Sequence, residues 1–199
     1  MKRVVVFASG SGSNALNLIE HFNGKGFAEI VSVFCNKPKA GVIQKALDKQ
    51  VEVHLFNKAD FYEHTEVIQA VDKHQPDLIV LAGFLWLVPI NFIQHFEGKI
   101  INLHPSLLPK FGGKGMYGHH VHEAVLNSKE KQTGITVHLV NAEFDKGEII
   151  YSDRFDIEPD DDIASIEAKI HVLEHKGLPL AVEMMLRRNE KMDNSGSTN

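Results

Sequence analysis

Residues 4–24 read VVVFASGSGSNALNLIEHFNG. The β-branched and aromatic run Val4–Ala8 predicts a buried strand, and Ser9 to Asn14 is a glycine-bearing loop. Leu16, Ile19 and Phe22 then recur at helical spacing, and Gly24 closes the pattern. Strand, glycine loop and helix in that order form the opening unit of a parallel α/β sheet. The backbone N–H groups of Gly12, Ser13 and Asn14 fall at the predicted helix N-terminus and make an anion nest. A dinucleotide fingerprint would want a third glycine where Ala15 stands, and an acid at the end of the second strand where Cys35-Asn36 stands. No lysine-bearing P-loop is present either. A small phosphomonoester is therefore the better ligand for this loop, the alternative being a structural tight turn.

Outward from this unit the same alternation continues. Strands are predicted at 30–34, 51–55 and 78–82, and helices at 41–49 and from Asp60, as cap, through Val67, Ile68 and Val71 to just before Pro76. Phe84 to Val88 is an apolar loop, Pro89 opens a short helix through Phe96, and Ile100 begins a fifth strand. Lys110 to Gly118, KFGGKGMYG, reads as a mobile flap. A helix at 119–127 and strands at 134–140 and 148–155 follow. The last helix spans about 163–176, and Gly177 and Pro179 break or kink it before 180–188. The fold class is α/β: a mostly parallel, twisted sheet of about seven strands with helices on both faces. Ligands then belong at the carboxyl ends of the strands. Residues 1–188 form a single domain, and the polar stretch 189–199 is expected to be a disordered tail.

Composition narrows the function classes. With 199 residues, 43% hydrophobic and 24% charged, the chain is an ordinary globular domain. A formal charge of −5 argues against nucleic acid as a partner. No apolar run is long enough to cross a bilayer, and the N-terminal run is too short for a signal segment. A cytoplasmic location and no membrane partner are expected. The single cysteine, Cys35, fits a reducing compartment.

The chemistry-bearing stretch is IINLHPSLLP, residues 100–109. Asn102 and His104 are two apart on the predicted strand and leave the same face, and Pro105 ends the ladder. An amide donor and an imidazole thus share one point, though such a pair is also compatible with a merely hydrogen-bonded histidine. Phe84, Trp86 and the aliphatics around them make either a buried connection or a flat slot for a heteroaromatic ring. In the turn NAEFDKGE, residues 141–148, Asp145 is the acid placed to reach His104; as a bland alternative it is a turn-former. His119, His120 and His122 lie on diverging helical positions with no H-E-x-x-H motif or cysteine pair, so no metal is expected. No G-x-S-x-G elbow is present for serine hydrolysis.

Together, SGSGSN, LAGFLWLV, INLHPSLLPKF and VNAEFDKGEII resemble the folate-dependent glycinamide ribonucleotide transformylase family of purine biosynthesis, over about residues 2–188. The resemblance implies a Rossmann-like formyltransferase fold and formyl transfer from 10-formyltetrahydrofolate to the amine of glycinamide ribonucleotide. Those two small molecules are the expected partners, with no metal; a homodimer is left open. It makes Asn102, His104 and Asp145 the catalytic three and puts the ribonucleotide phosphate on Gly12, Ser13 and Asn14. Glu174 then reaches the ribose or glycinamide end, and Gly83 backbone helps to hold the amine. The pterin lies against Leu85, Trp86, Leu87, Val88, Asn102, Val140, Asn141 and Phe144. A cis bond before Pro109 is also implied. Trp86 stands where the family often has a basic residue, and the flap is longer than in some relatives. Related folate enzymes share HPSLLP, so a formyltetrahydrofolate hydrolase is the nearest alternative, and a non-catalytic nucleotide-binding module a further one. On chemical grounds, Asp145 beside His104 would raise the imidazole pKa.

Overall fold

The computed structural model describes residues 1–113, 115–116, 118–143 and 145–196, with the side chains of 191–196 left aside. In chain order the elements are β1 (Lys2–Ala8), α1 (Ser13–Phe22), β2 (Ala28–Cys35), α2 (Gly41–Asp48), β3 (Glu52–Leu55), α3 (Lys58–Tyr62) and α4 (Glu66–Asp72). They continue as β4 (Leu78–Leu81), α5 (Ile90–His95), β5 (Ile100–His104), α6 (His119–Asn127), β6 (Gln132–Leu139), β7 (Ile149–Asp156) and α7 (Ile163–Gly196). The seven strands form one sheet in the order β3-β2-β1-β4-β5-β6-β7. Pairing is parallel from β3 to β5 and antiparallel for β5–β6 and β6–β7. The expected α/β class and strand number hold.

The sheet is covered on both faces, which is why Val4–Ala8 of β1 and the whole of β4 are apolar and buried. Val4, Val6 and Ala8 point into a core shared with α1, α2 and α7. Val5 and Phe7 point the other way, among Phe61, Val67 and Phe92. There Phe7 stacks on Phe34 at 5.0 Å and meets Phe84 and Phe92 edge-on at 5.4 and 5.5 Å, geometries that favour aromatic pairs. From β1 the chain winds outward to β2 and β3, then returns to place β4 on the opposite side. This reversal opens a crevice beyond the carboxyl ends of β1 and β4, the usual ligand position in such sheets.

Two helices depart from the expectation. Asp60 does not cap one long helix: Asn57 is the cap of α3, and Asp60 is the third helical residue of a reciprocal capping box, its Oδ2 accepting from Asn57 N at 3.0 Å. The helix then breaks before α4. Phe61 and Val67 both enter the same core, yet six residues along one straight helix would point them about 120° apart. The break lets both be buried. In α7 the chain does not break at Gly177 or Pro179 but remains helical across them. The carbonyl of His175, which Pro179 cannot satisfy for lack of an N–H, accepts from Asn17 Nδ2 at 2.7 Å instead. The helical backbone of α7 also runs into 189–196, and the expected tail falls largely outside the residues whose side chains are described.

Candidate active site

The crevice widens into a cavity of about 1140 Å³ lined from both sides of the sheet reversal. One end is the loop after β1. Gly12 caps α1 at φ +76°, and a Cβ there would lie 2.5 Å from Val42 atoms. Only glycine meets both requirements, a left-handed backbone and the close approach of α2. Ser13 and Asn14 open α1, where the first N–H groups lack helical partners. Asn14 Nδ2 donates to Glu174 Oε2 at 2.9 Å, so residues 160 positions apart meet beside the nest.

Gly83, at φ +70°, follows β4, and its carbonyl accepts from Ser9 N at 3.0 Å, tying the two crevice loops together. The segment after it forms the apolar end. Leu85 and Leu87 are 41% and 52% exposed, large fractions for leucine, while Val88 is buried. Leu85 N donates to Ser9 Oγ at 3.0 Å. Trp86 is half-buried against Phe56, Phe61 and Tyr62, with Lys58 Nζ 5.9 Å from its ring. Val140 and Asn141 line the cavity too, and Val140 N donates to the Ile100 carbonyl at 2.9 Å. Phe144 lies outside the described residues.

Between these ends sit the polar groups. β5 and β6 are paired so that Asn102 lies opposite His138 and His104 opposite Thr136; residues opposite in a ladder share a face. Asn102 Nδ2 donates to His138 Nε2 at 3.2 Å, and His138 Nδ1 donates to the Leu139 carbonyl at 2.9 Å. The second bond leaves Nε2 as the acceptor and thereby orients the Asn102 amide. Asp145 Oδ1 is 3.4 Å from His138 Nε2, and Oδ2 is 3.9 Å from His104 Nδ1. Its Oδ2 also accepts from Gly113 N at 2.7 Å. His104 Nε2 donates to the Phe111 carbonyl at 2.8 Å. The loop carrying that carbonyl is pinned to β6: Thr136 Oγ1 donates to the Ser106 carbonyl and accepts from Leu108 N. The Leu108–Pro109 bond is cis.

His138 is the site residue that sequence reasoning missed. Thr136 and His138 alternate on a recognisable strand, but only the β5–β6 register puts that face against Asn102. The electrostatics also differ from expectation. Burial pushes the His104 imidazole below its ordinary pKa, and the opposing pull of Asp145 and Phe111 does not overcome it. At rest His104 is neutral, with its proton on Nε2 and an open Nδ1 toward Asp145. Burial pushes Asp145 up, but its close contact with His138, the Gly113 N–H and the neighbouring His104 ring outweigh it and keep the carboxyl below its ordinary pKa. The His119 and His120 rings lie 4.0 Å apart at a tilt on α6, while His122 is buried and lines the cavity.

The chain matches the formyl transferase family over residues 2–182. It is 36% identical over 198 residues to phosphoribosylglycinamide formyltransferase of Bacillus subtilis, covering 96% of this chain and 98% of that one. It is 35% identical over 181 residues to the chloroplastic phosphoribosylglycinamide formyltransferase of Arabidopsis thaliana, covering 88% of this chain but 62% of that longer protein. The crystal structure of phosphoribosylglycinamide formyltransferase from Brucella melitensis superposes with a TM-score of 0.84 at 37% identity, over 93% of this chain and 95% of that one.

Proposed function

The chain belongs to the formyl transferase family, and from that premise we propose that it moves the formyl group of 10-formyltetrahydrofolate onto the amine of glycinamide ribonucleotide in purine biosynthesis. One observation carries this: Asn102, His104, His138 and Asp145 converge in a cavity that has an anion nest at one end and an apolar slot at the other. A volume of about 1140 Å³ exceeds the range of roughly 300–1,000 Å³ common for one small ligand and suits two.

In this proposal the phosphate rests on Gly12, Ser13 and Asn14, Glu174 meets the ribose or glycinamide end, and Gly83 backbone holds the amine. The pterin lies along Leu85 to Val88, Val140 and Asn141. The amine attacks the formyl carbon, and negative charge builds on the formyl oxygen. Asn102 gives one amide hydrogen to His138 and keeps the second for that oxygen. His104 starts neutral, so its Nδ1 must gain a proton before it can donate. The developing oxyanion favours that proton, and the attacking amine releases one through Asp145 and a water. The C–N bond to the folate nitrogen then breaks as that nitrogen takes the proton. Each donor aimed at the oxyanion is worth roughly 3 kcal/mol in rate. Both substrates are small and soluble, and we place the reaction in the cytoplasm; among the described residues no helix is long and apolar enough to cross a membrane.

The test is the absorbance change as a formyl-folate analogue loses its formyl group, with ribonucleotide present and omitted. Turnover that requires the ribonucleotide is expected. Equal turnover without it would convert the assignment to a hydrolase, and no turnover with intact nucleotide binding would convert it to a binding module.

A further inference from the structure

We infer that Glu52, His54 and His74 form a binding site for a divalent transition-metal ion of the zinc type, away from the formyl-transfer centre. Glu52 and His54 are two apart on edge strand β3 and leave the same face. His74 comes from the connection between α4 and β4, at the end of the sheet where strands begin; the catalytic cavity lies at the other end.

The donor atoms already converge. His54 Nε2 and His74 Nε2 are 2.9 Å apart, Glu52 Oε1 is 3.1 Å from His54 Nε2, and Oε2 is 3.9 Å from His74 Nε2. Ligands about 2.0–2.1 Å from a tetrahedral zinc stand about 3.3 Å from each other, so these separations bracket what an ion requires. Two nitrogens and a carboxylate oxygen suit zinc, with water as a fourth ligand. The rings are held before any ion arrives. His54 stacks on Phe34 at 4.6 Å, His74 meets the same ring edge-on at 6.1 Å, and the His74 carbonyl accepts from Arg3 Nε. Burial, His54, Arg3 and Lys73 together push the His74 imidazole below its ordinary pKa despite Glu52, and the neutral ring is the ligand form. Without an ion, a single proton must bridge the two facing nitrogens; a divalent cation replaces that weak link with bonds to all three groups. A polar cleft of about 420 Å³, lined by Glu52 and His74 with Asn23 and Gln50, gives water and ions access.

The consequence is mechanical. β3 is four residues long and, among the described residues, pairs only with β2, so an ion joining it to the residues before β4 ties down the sheet edge. To test this, tag-free protein stripped with a chelator is titrated with zinc chloride by calorimetry, and its melting temperature is followed. Expected are one equivalent bound with a dissociation constant of about 10 micromolar or tighter, and a rise in melting temperature. Glu52→Gln, at an exposed position free of core contacts, should weaken binding about tenfold while formyl transfer stays unchanged. His54→Gln and His74→Gln should abolish it. Cobalt loading should give a visible absorption band lost in the same variants. Binding no tighter than about 100 micromolar, or binding that Glu52→Gln and His54→Gln leave intact, overturns the site. If a histidine variant fails to fold, Glu52→Gln still decides.

Discussion

His104 illustrates how burial can overrule a neighbouring charge. Asp145 lies 3.9 Å from its Nδ1, yet the side chain is 4% exposed and the desolvation cost of an imidazolium prevails. The residue therefore waits neutral for the reaction to charge it. His104→Ala removes this donor and Asp145→Asn removes the carboxylate that passes the proton. Either should lower kcat by about a hundredfold or more and leave the ribonucleotide dissociation constant, measured by calorimetry, nearly unmoved. Near-normal kcat in either variant would refute the assignment. At the opposite end of the cavity, Gly12→Ala would force a Cβ to within 2.5 Å of Val42 at a positive φ. The loop must shift, so the ribonucleotide KM should rise severalfold while the folate KM holds; an unchanged ribonucleotide KM would remove the nest from the site.

At the level of elements, α7 shows a helix kept whole by its neighbours. Pro179 removes one internal hydrogen bond, and Asn17 of α1 takes up the carbonyl left over. Gly177 faces β6 and β7: a Cβ there would stand 2.5 Å from Tyr151 Cε1 and 2.8 Å from Ile135 Cδ1. Exposed mid-helix glycine replaced by alanine normally gains up to about 1 kcal/mol. Here the contact reverses the sign, and Gly177→Ala should destabilise by about 1–3 kcal/mol in urea unfolding. A gain in stability would show that α7 stands off the sheet. Because Glu174 rides on this helix, the same variant should also weaken ribonucleotide binding.

Across the whole molecule, His74, His104, His122 and His175 all have pKa values lowered chiefly by burial. The sign follows directly: below the ordinary value of 6.5 the unfolded chain binds these protons more readily than the folded one. Their contribution is fully present above that pH and is lost as pH falls beneath it. Asp145, lowered from 3.8, adds a loss in the same direction in stronger acid. The urea midpoint should therefore fall steadily from about pH 7.5 to about pH 5, and a flat or rising profile would contradict the buried neutral histidines.

The alternation of apolar runs and helical stripes carried the α/β class, the strand count and the parallel start of the sheet, because periodicity is a local property that each segment expresses by itself. The glycine loop and the Asn102 and His104 pair were legible for the same reason, since two residues on one strand must share a face. Asp145 was nameable as the acid of a turn, but its distance to two histidines was not. Which strand lies beside β5, and hence that His138 orients Asn102, is set by the register of segments more than thirty residues apart. The meeting of Asn14 with Glu174, the break before α4, the helix carried through Pro179 and the protonation of His104 likewise depend on packing and burial. These exist only once the chain has closed on itself, for they are properties of neighbours in space, and sequence order does not list those neighbours.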